Sequence, residues 1–287
     1  MYYIVVMMNM IEKLEIACDS KNMSEKTRIN YTYPVKCFIE YHGTKDITPE
    51  SITKYHAYLK REKGFATATM KLHACAIRFF IRRVLNREDL VSSMPSIKQT
   101  YSLPFVLSKS EIKRLIWSAL NQNHKMILSV LYTCGVRLSE LLSIKIREID
   151  FDRKQILVHG KGRRDRFVPL NDNVAAIIRE CTSDLKCNDY LCTTIRRGRL
   201  DKSKRQMCSR SISCIINQCS ERAGITKRTY PHLLRHSLAT HLLEDGVDIR
   251  YIQVLLGHTS ILATSHYTHI AKIPSNLVAM NINYLFE

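Results

Sequence analysis

From residue 20 to residue 90 the apolar positions recur every three to four residues, the rhythm of helices buried along one side. Ser24 can cap a helix running to about Tyr41, with Ile29, Tyr33 and Phe38 turned inward and Gly43 ending it. Thr48-Pro49 opens a second, with Ile52, Tyr55 and Leu59 on one stripe and Gly64 after it. A third begins at Thr67, its buried face marked by Met70, Ala74, Ile77, Ile81 and Val84. Val91 to Val106 breaks the rhythm with two prolines and several Ser and Thr residues, and reads as a linker with a boundary near Tyr101. Helices resume from Ser108 to Ala119 and from Lys125 to Tyr132. Gly135 interrupts them, and the next starts around Arg137.

After Ile149 the pattern alternates. Gln155 to His159 and Arg166 to Leu170 read as two strands about a turn, Gly160-Lys161-Gly162-Arg163-Arg164-Asp165. Asn173 to Cys181 and Ser209 to Ala223 are helical again. Pro231 suits the first turn of a helix, where its missing N–H costs nothing, and Gly246 suits its stop. Asp248 and Gly257 frame a short helix, and Ser260 can cap one more. The predicted fold is mainly α with a small β-hairpin or sheet in its second domain. The expected division is an N-terminal extension at 1–19, a helical domain at 20–92, a linker at 93–106 and an α+β domain at 107–287.

Apolar content of 45% is ordinary for a globular chain of 287 residues, but a formal charge of +18 is not. Both parts share it: 16 basic against 10 acidic residues up to position 105, and 28 against 16 after it. A polyanionic partner is the simplest explanation, and the spread favours a clamp over one basic tail. Lys71, Arg78, Arg82 and Arg83 crowd the third helix as candidate phosphate contacts. Arg163 and Arg164 in the hairpin turn, and Arg196, Arg197 and Arg199 in a basic loop, are further candidates. Ten cysteines include no Cys-x-x-Cys; Cys187/Cys192 and Cys214/Cys219 are too loosely spaced for a typical zinc site. Scattered thiols fit a reducing cytoplasm, and no apolar run is long enough to span a bilayer. A surface-bound membrane protein would need one basic amphipathic helix, whereas the basic residues here lie on many elements.

The segment from Tyr230 to His269 concentrates the chemistry. His232 and Arg235 stand three residues apart on one predicted helical face, with Leu234, Leu238 and Leu242 on the opposite one. His258 follows the end of the next helix, and Tyr267 lies on the one after. Singly, each has an ordinary reading as a solvated or packed side chain. Together a guanidinium fork for phosphate oxygens, two imidazoles and a phenol nucleophile suggest phosphoryl transfer to tyrosine.

This segment resembles the C-terminal motifs of the tyrosine recombinase (phage integrase) family, His-x-x-Arg, then Leu-Gly-His, then Tyr. Gly135-Val-Arg137-Leu-Ser-Glu140-Leu is similar to the family's Gly-x-Arg-x-Ser-Glu-Leu, with Cys134 where Thr is frequent. Gly160-Lys161-Gly162 through Arg166-Phe-Val-Pro-Leu resembles its lysine hairpin; the run is no P-loop, since no Ser or Thr follows the lysine. Ala263 and His266 depart from the family near Tyr267.

The resemblance implies a two-domain clamp around double-stranded DNA. Arg137 and Arg235 would neutralise the scissile phosphate, with Glu140 holding Arg137. Tyr267 would attack phosphorus to leave a 3′-phosphotyrosyl enzyme, Lys161 would protonate the 5′-oxygen, His232 would help remove the phenolic proton and His258 would hydrogen-bond the phosphate. No metal, cofactor or ATP is implied. A homotetramer on an inverted-repeat recombination site is, and Ile273 to Phe286 can either dock on a neighbouring protomer or pack on its own. The implied setting is the cytoplasm and nucleoid of a prokaryote or mobile element. Two rivals are a type IB topoisomerase, which uses the same chemistry only to relax supercoils, and a non-catalytic DNA-binding product of a mobile element.

Overall fold

Residues 2–20, which span the N-terminal extension expected at 1–19, form a helix, α1 (Tyr2–Ser20). Leu14 and Cys18 on it are fully buried, and Met7, Met10 and Ile11 pack against the same core. In this computed structural model the described residues are 2–43, 46–92, 94, 97, 105–160, 164–195 and 204–257. Two units divide the chain, Met1–Ser102 and Leu103–Glu287.

In the first unit α1 is followed by α2 (Glu25–His42), α3 (Pro49–Arg61), α4 (Thr67–Arg83) and the short α5 (Glu88–Ser92). Ser24 accepts the Thr27 N–H to start α2, and Thr48 and Ser51 cap α3 reciprocally. Ile52, Tyr55, Leu59, Met70, Ala74, Ile77 and Ile81 are buried as expected, while Val84 is half-buried. Of the three residues expected on the inward face of α2, only Phe38 is buried. Ile29 and Tyr33 are each 61% exposed, and the buried stripe runs through Val35, Phe38, Ile39 and His42. Lys36 and Glu40 continue the Ile29–Tyr33 stripe, so its polar members carry two apolar ones to the surface.

His42, His56 and His73 are buried in this unit. His42 Nδ1–H donates to the Phe38 carbonyl at 2.9 Å, and His56 Nδ1–H to that of Ile52 at 2.9 Å. Burial, first of all, pushes the pKa of all three below the usual histidine value of 6.5. An unfolded chain takes up these protons at higher pH than the folded one does. Stability is therefore fully present above about pH 6.5 and lost as pH falls through the depressed folded values. The sole tryptophan, Trp117, reports on the second unit, so amide exchange along α4 is the appropriate measurement for the first. Protection should drop from pH 7 to pH 5; equal opening free energies at both would contradict the expectation.

The second unit contains α6 (Lys109–Trp117), α7 (Gln122–Thr133), α8 (Leu138–Ser143), β1 (Ile149–Asp150), β2 (Gln155–Val158), β3 (Arg166–Pro169), α9 (Asp172–Thr182), β4 (Thr193–Ile195), β5 (Lys204–Gln206), α10 (Ser209–Arg222), α11 (Pro231–Glu244) and α12 (Ile249–Leu256). The expected hairpin is β2–β3, antiparallel from Gln155 opposite Pro169 to Val158 opposite Arg166, and β1 adds a third strand. The pairing of β4 with β5 was not expected; these strands bracket residues 196–203. Ile127, Leu131, Val136, Ile156, Val168, Ile216, Leu234, Leu238, Ile252 and Leu256 belong to one core. Among the described residues no helix is long and apolar enough to cross a membrane.

Candidate active site

The chain leaves α7 and turns at Gly135, where φ is +58° and an added Cβ would lie 2.8 Å from Leu238 Cδ2 and 2.9 Å from Leu256 Cδ2. A side chain there would strain the backbone and would have to push two leucine methyls aside. The turn delivers Arg137 as the N-cap of α8. Glu140 accepts the Arg137 backbone N–H at 2.8 Å and its Nη1 at 2.7 Å. With its side chain 5% exposed, Glu140 is no surface partner. Arg166 reaches the same carboxylate, Nη1 to Oε1 at 3.1 Å and Nη2 to Oε2 at 2.9 Å. Burial by itself would raise the Glu140 carboxyl; the hydrogen bonds from Arg166 and Arg137 outweigh it and hold its pKa at about 2.

Pro231 stands in the first turn of α11, and Gly246 follows its end with φ of +82°. The expected split of this helix into a functional and an apolar face does not hold. Ser237, Ala239 and His241 are buried as well as the leucines, because other elements of the unit cover most of its circumference. Ser237 Oγ accepts the Leu107 N–H at 2.9 Å, and His241 shares a 2.7 Å hydrogen bond with the Tyr132 hydroxyl. Arg235 is thus inside, 1% exposed. Its Nη1 donates to the Gly135 carbonyl at 2.5 Å and its Nη2 to that of Leu256.

Asp248 caps α12 as expected, accepting the Arg250 N–H, and Gly257 closes it in the left-handed conformation. Its end is where the guanidiniums meet. Leu255 O accepts from Arg166 Nε at 2.8 Å, Leu256 O from Arg235, and Gly257 O from Arg137 Nη2 at 3.4 Å. Carbonyls at a helix C-terminus lack intrahelical donors and carry the negative end of the helix dipole, so cations are favoured there.

His232 is exposed, and its ring meets that of His236 edge-on with centroids 4.9 Å apart. Partial desolvation, then the charges of Arg235 and Arg137, push His232 below the ordinary histidine range. Burial takes His236 down to about 4. A neutral imidazole beside two guanidiniums can accept a proton.

Arg137, Glu140, His232 and Arg235 are therefore gathered in one place. Lys161, His258 and Tyr267 lie outside the described residues, as do Arg163, Arg196, Arg197, Arg199, the Ser260 cap and Ile273 to Phe286. Arg164 is exposed just before β3. On α4, Lys71 and Arg78 are half-buried while Arg82 and Arg83 are exposed. Arg82 already grips Glu88 through Nε and Nη2 at 2.7–3.0 Å, so a DNA phosphate would have to compete with a carboxylate. Arg166 stands in the lysine-hairpin motif, but alternation along a strand reveals only its face and gives no sign of this cluster.

The phage integrase family matches residues 106–273, and the N-terminal SAM-like domain of phage integrases matches residues 10–89. The chain belongs to the phage integrase family. Tyrosine recombinase XerA of Thermococcus kodakarensis is 36% identical over 266 residues, covering 91% of this chain and 90% of the relative. Among solved structures, a XerH site-specific recombinase bound to palindromic difH substrate in a post-cleavage complex aligns with a TM-score of 0.70. It is 20% identical and covers 90% of this chain and 80% of that one. A lambda integrase tetramer bound to a Holliday junction aligns at 0.72, 19% identical, over 90% and 76%. These two likenesses speak for the fold. As a phage integrase family member the chain is a tyrosine-type DNA strand transferase that acts in site-specific recombination. Neither a relaxation-only enzyme nor a non-catalytic binder is favoured.

Proposed function

We propose that this recombinase binds double-stranded DNA at an inverted-repeat site, assembles on it as a homotetramer in the cytoplasm, and exchanges strands through a 3′-phosphotyrosine on Tyr267. The observation that carries the reading is the meeting of Arg137 and Arg235 on successive carbonyls at the end of α12, with the buried Glu140 and the exposed His232 beside them. Negative charge grows on the nonbridging oxygens in the transition state, where fixed donors in a dry site contribute most. Arg235 is enclosed in the conformation described, so its use on a phosphate requires that enclosure to open when DNA binds.

In this mechanism the Tyr267 phenol loses its proton with help from His232, whose depressed pKa keeps it neutral and able to accept. The phenolate oxygen forms the new P–O bond, and the 5′-oxygen leaves with a proton from Lys161. His258 hydrogen-bonds the phosphate. Because one phosphodiester is exchanged for another of similar energy, the 5′-hydroxyl of a partner strand reverses the step without ATP. The DNA clamp is read from charge in both units, with Lys71, Arg78, Arg82, Arg83, Arg163, Arg164, Arg196, Arg197 and Arg199 as phosphate contacts.

A titration of binding against salt tests the clamp. If ~8 phosphates are contacted, log K should fall against log salt with a slope of about −7. A slope shallower than about −3 would reject it. Inverted repeats flanking the gene, nicked inside the site, should trap a covalent protein–DNA adduct; failure to trap one on any such site counts against the whole reading.

A further inference from the structure

Arg166 opens β3 with its side chain 9% exposed, too enclosed to serve as an outer DNA contact. Its two terminal nitrogens face both oxygens of Glu140, at 3.1 and 2.9 Å, while Nε donates to the Leu255 carbonyl at 2.8 Å. Glu140 Oε1 also accepts Arg137 Nη1 at 2.7 Å, so one carboxylate oxygen is shared by two guanidiniums. Gly257 provides the room on the far side: a Cβ there would lie 3.1–3.3 Å from the Arg166 side chain. One planar group thus joins the first turn of α8 to the last turn of α12.

We propose that Arg166 is a positioning residue for strand cleavage, locking Glu140 so that Arg137 keeps one orientation and tying that lock to the helix end on which Arg235 also rests. The proposal builds on the catalytic reading above. Without Arg166, Glu140 is held by Arg137 alone, through its backbone N–H and Nη1. The pair also loses its tie through Arg166 to the Leu255 carbonyl at the end of α12, so the Arg137 guanidinium can shift with the carboxylate. A displacement of about 1 Å in a reacting centre costs on the order of 10²-fold in rate. Lysine offers one point charge where the site uses three donors in a fixed plane, so it should restore charge and not geometry.

The test is single-turnover cleavage of the nicked site at saturating protein, well below each variant's unfolding midpoint, with site affinity measured beside it. Arg166→Lys should cleave on the order of 10²-fold more slowly while binding within about threefold of the unaltered protein. The charge-balanced double variant Arg166→Met with Glu140→Gln, which leaves no unpaired buried charge, should be no slower than the slower of its two single changes. In an Arg137→Ala background, Arg166→Lys should have no further effect. A full-rate Arg166→Lys, multiplicative losses in either combination, or a rate that merely follows the folded fraction would overturn the proposal. Should Arg166→Lys fail to fold, the charge-balanced pair decides. An unaltered protein that forms no adduct strikes the catalytic reading and takes this proposal with it; an adduct that forms normally in Arg166→Lys sinks this proposal alone.

Discussion

Tyr267→Phe is expected to bind the recombination site as the unaltered protein does, within about threefold or under roughly 1 kcal/mol, and to form no covalent adduct at all. The change deletes one oxygen, so loss of the adduct with binding intact assigns the nucleophile. Of the other candidates, Tyr230 immediately precedes α11 and Tyr251 lies on α12 with its ring largely in solvent. Neither follows the Gly257 turn in the chain, and peptide mapping of the trapped adduct separates them, and Tyr284, from Tyr267. An adduct persisting in Tyr267→Phe would show that the C-terminal motif has been matched wrongly.

Arg235→Ala should lower cleavage by about 10²–10³-fold, the usual cost of removing one donor aimed at transition-state charge. Arg137→Ala should do the same, but the two should part company in stability. Arg235 is buried and satisfies the carbonyls of Gly135 and Leu256, so its loss leaves two enclosed acceptors unpaired, at about 1–3 kcal/mol each. Arg137, 34% exposed, bonds at 3.4 Å to Gly257 and chiefly to Glu140, which keeps Arg166. A clear drop in unfolding midpoint is therefore expected for Arg235→Ala and a smaller one for Arg137→Ala. Arg235→Lys should recover little of either, since an ammonium does not reproduce a fork reaching two carbonyls. Equal losses of binding and cleavage would instead mark these residues as ordinary backbone contacts.

What was legible in the chain was local. Ser24, Thr48, Ser108 and Asp248 start their helices as expected, because a cap acts across three residues, and Gly257 ends α12 as the left-handed position demands. The β2–β3 hairpin followed from alternation. The inward face of α2 was misread because Ile29 and Tyr33 look like core on their own, and only the whole stripe shows them outside. The pairing of β4 with β5 was missed because three-residue strands carry too little pattern. The site itself was half legible. Arg137, Glu140, His232 and Arg235 stand out as chemistry at recognisable spacing. That Arg166 joins them depends on bonds to residues 26 and 89 positions away, and no periodicity encodes such a distance.

An eight-residue helix is too short to persist alone in water, and α12 is such a helix. Yet its final turn supplies an acceptor to each of three arginines. Lifting it away would take one acceptor from all three at once, leaving Arg137 and Arg166 on Glu140 and Arg235 on the Gly135 carbonyl. How the three arginines are set relative to one another thus depends on whether one small helix is seated. Ile252 and Leu256, the buried residues that seat it, are greasy side chains with no chemistry of their own. Substitution at either position is therefore expected to disturb how the three arginines are set relative to one another, with every arginine still in place.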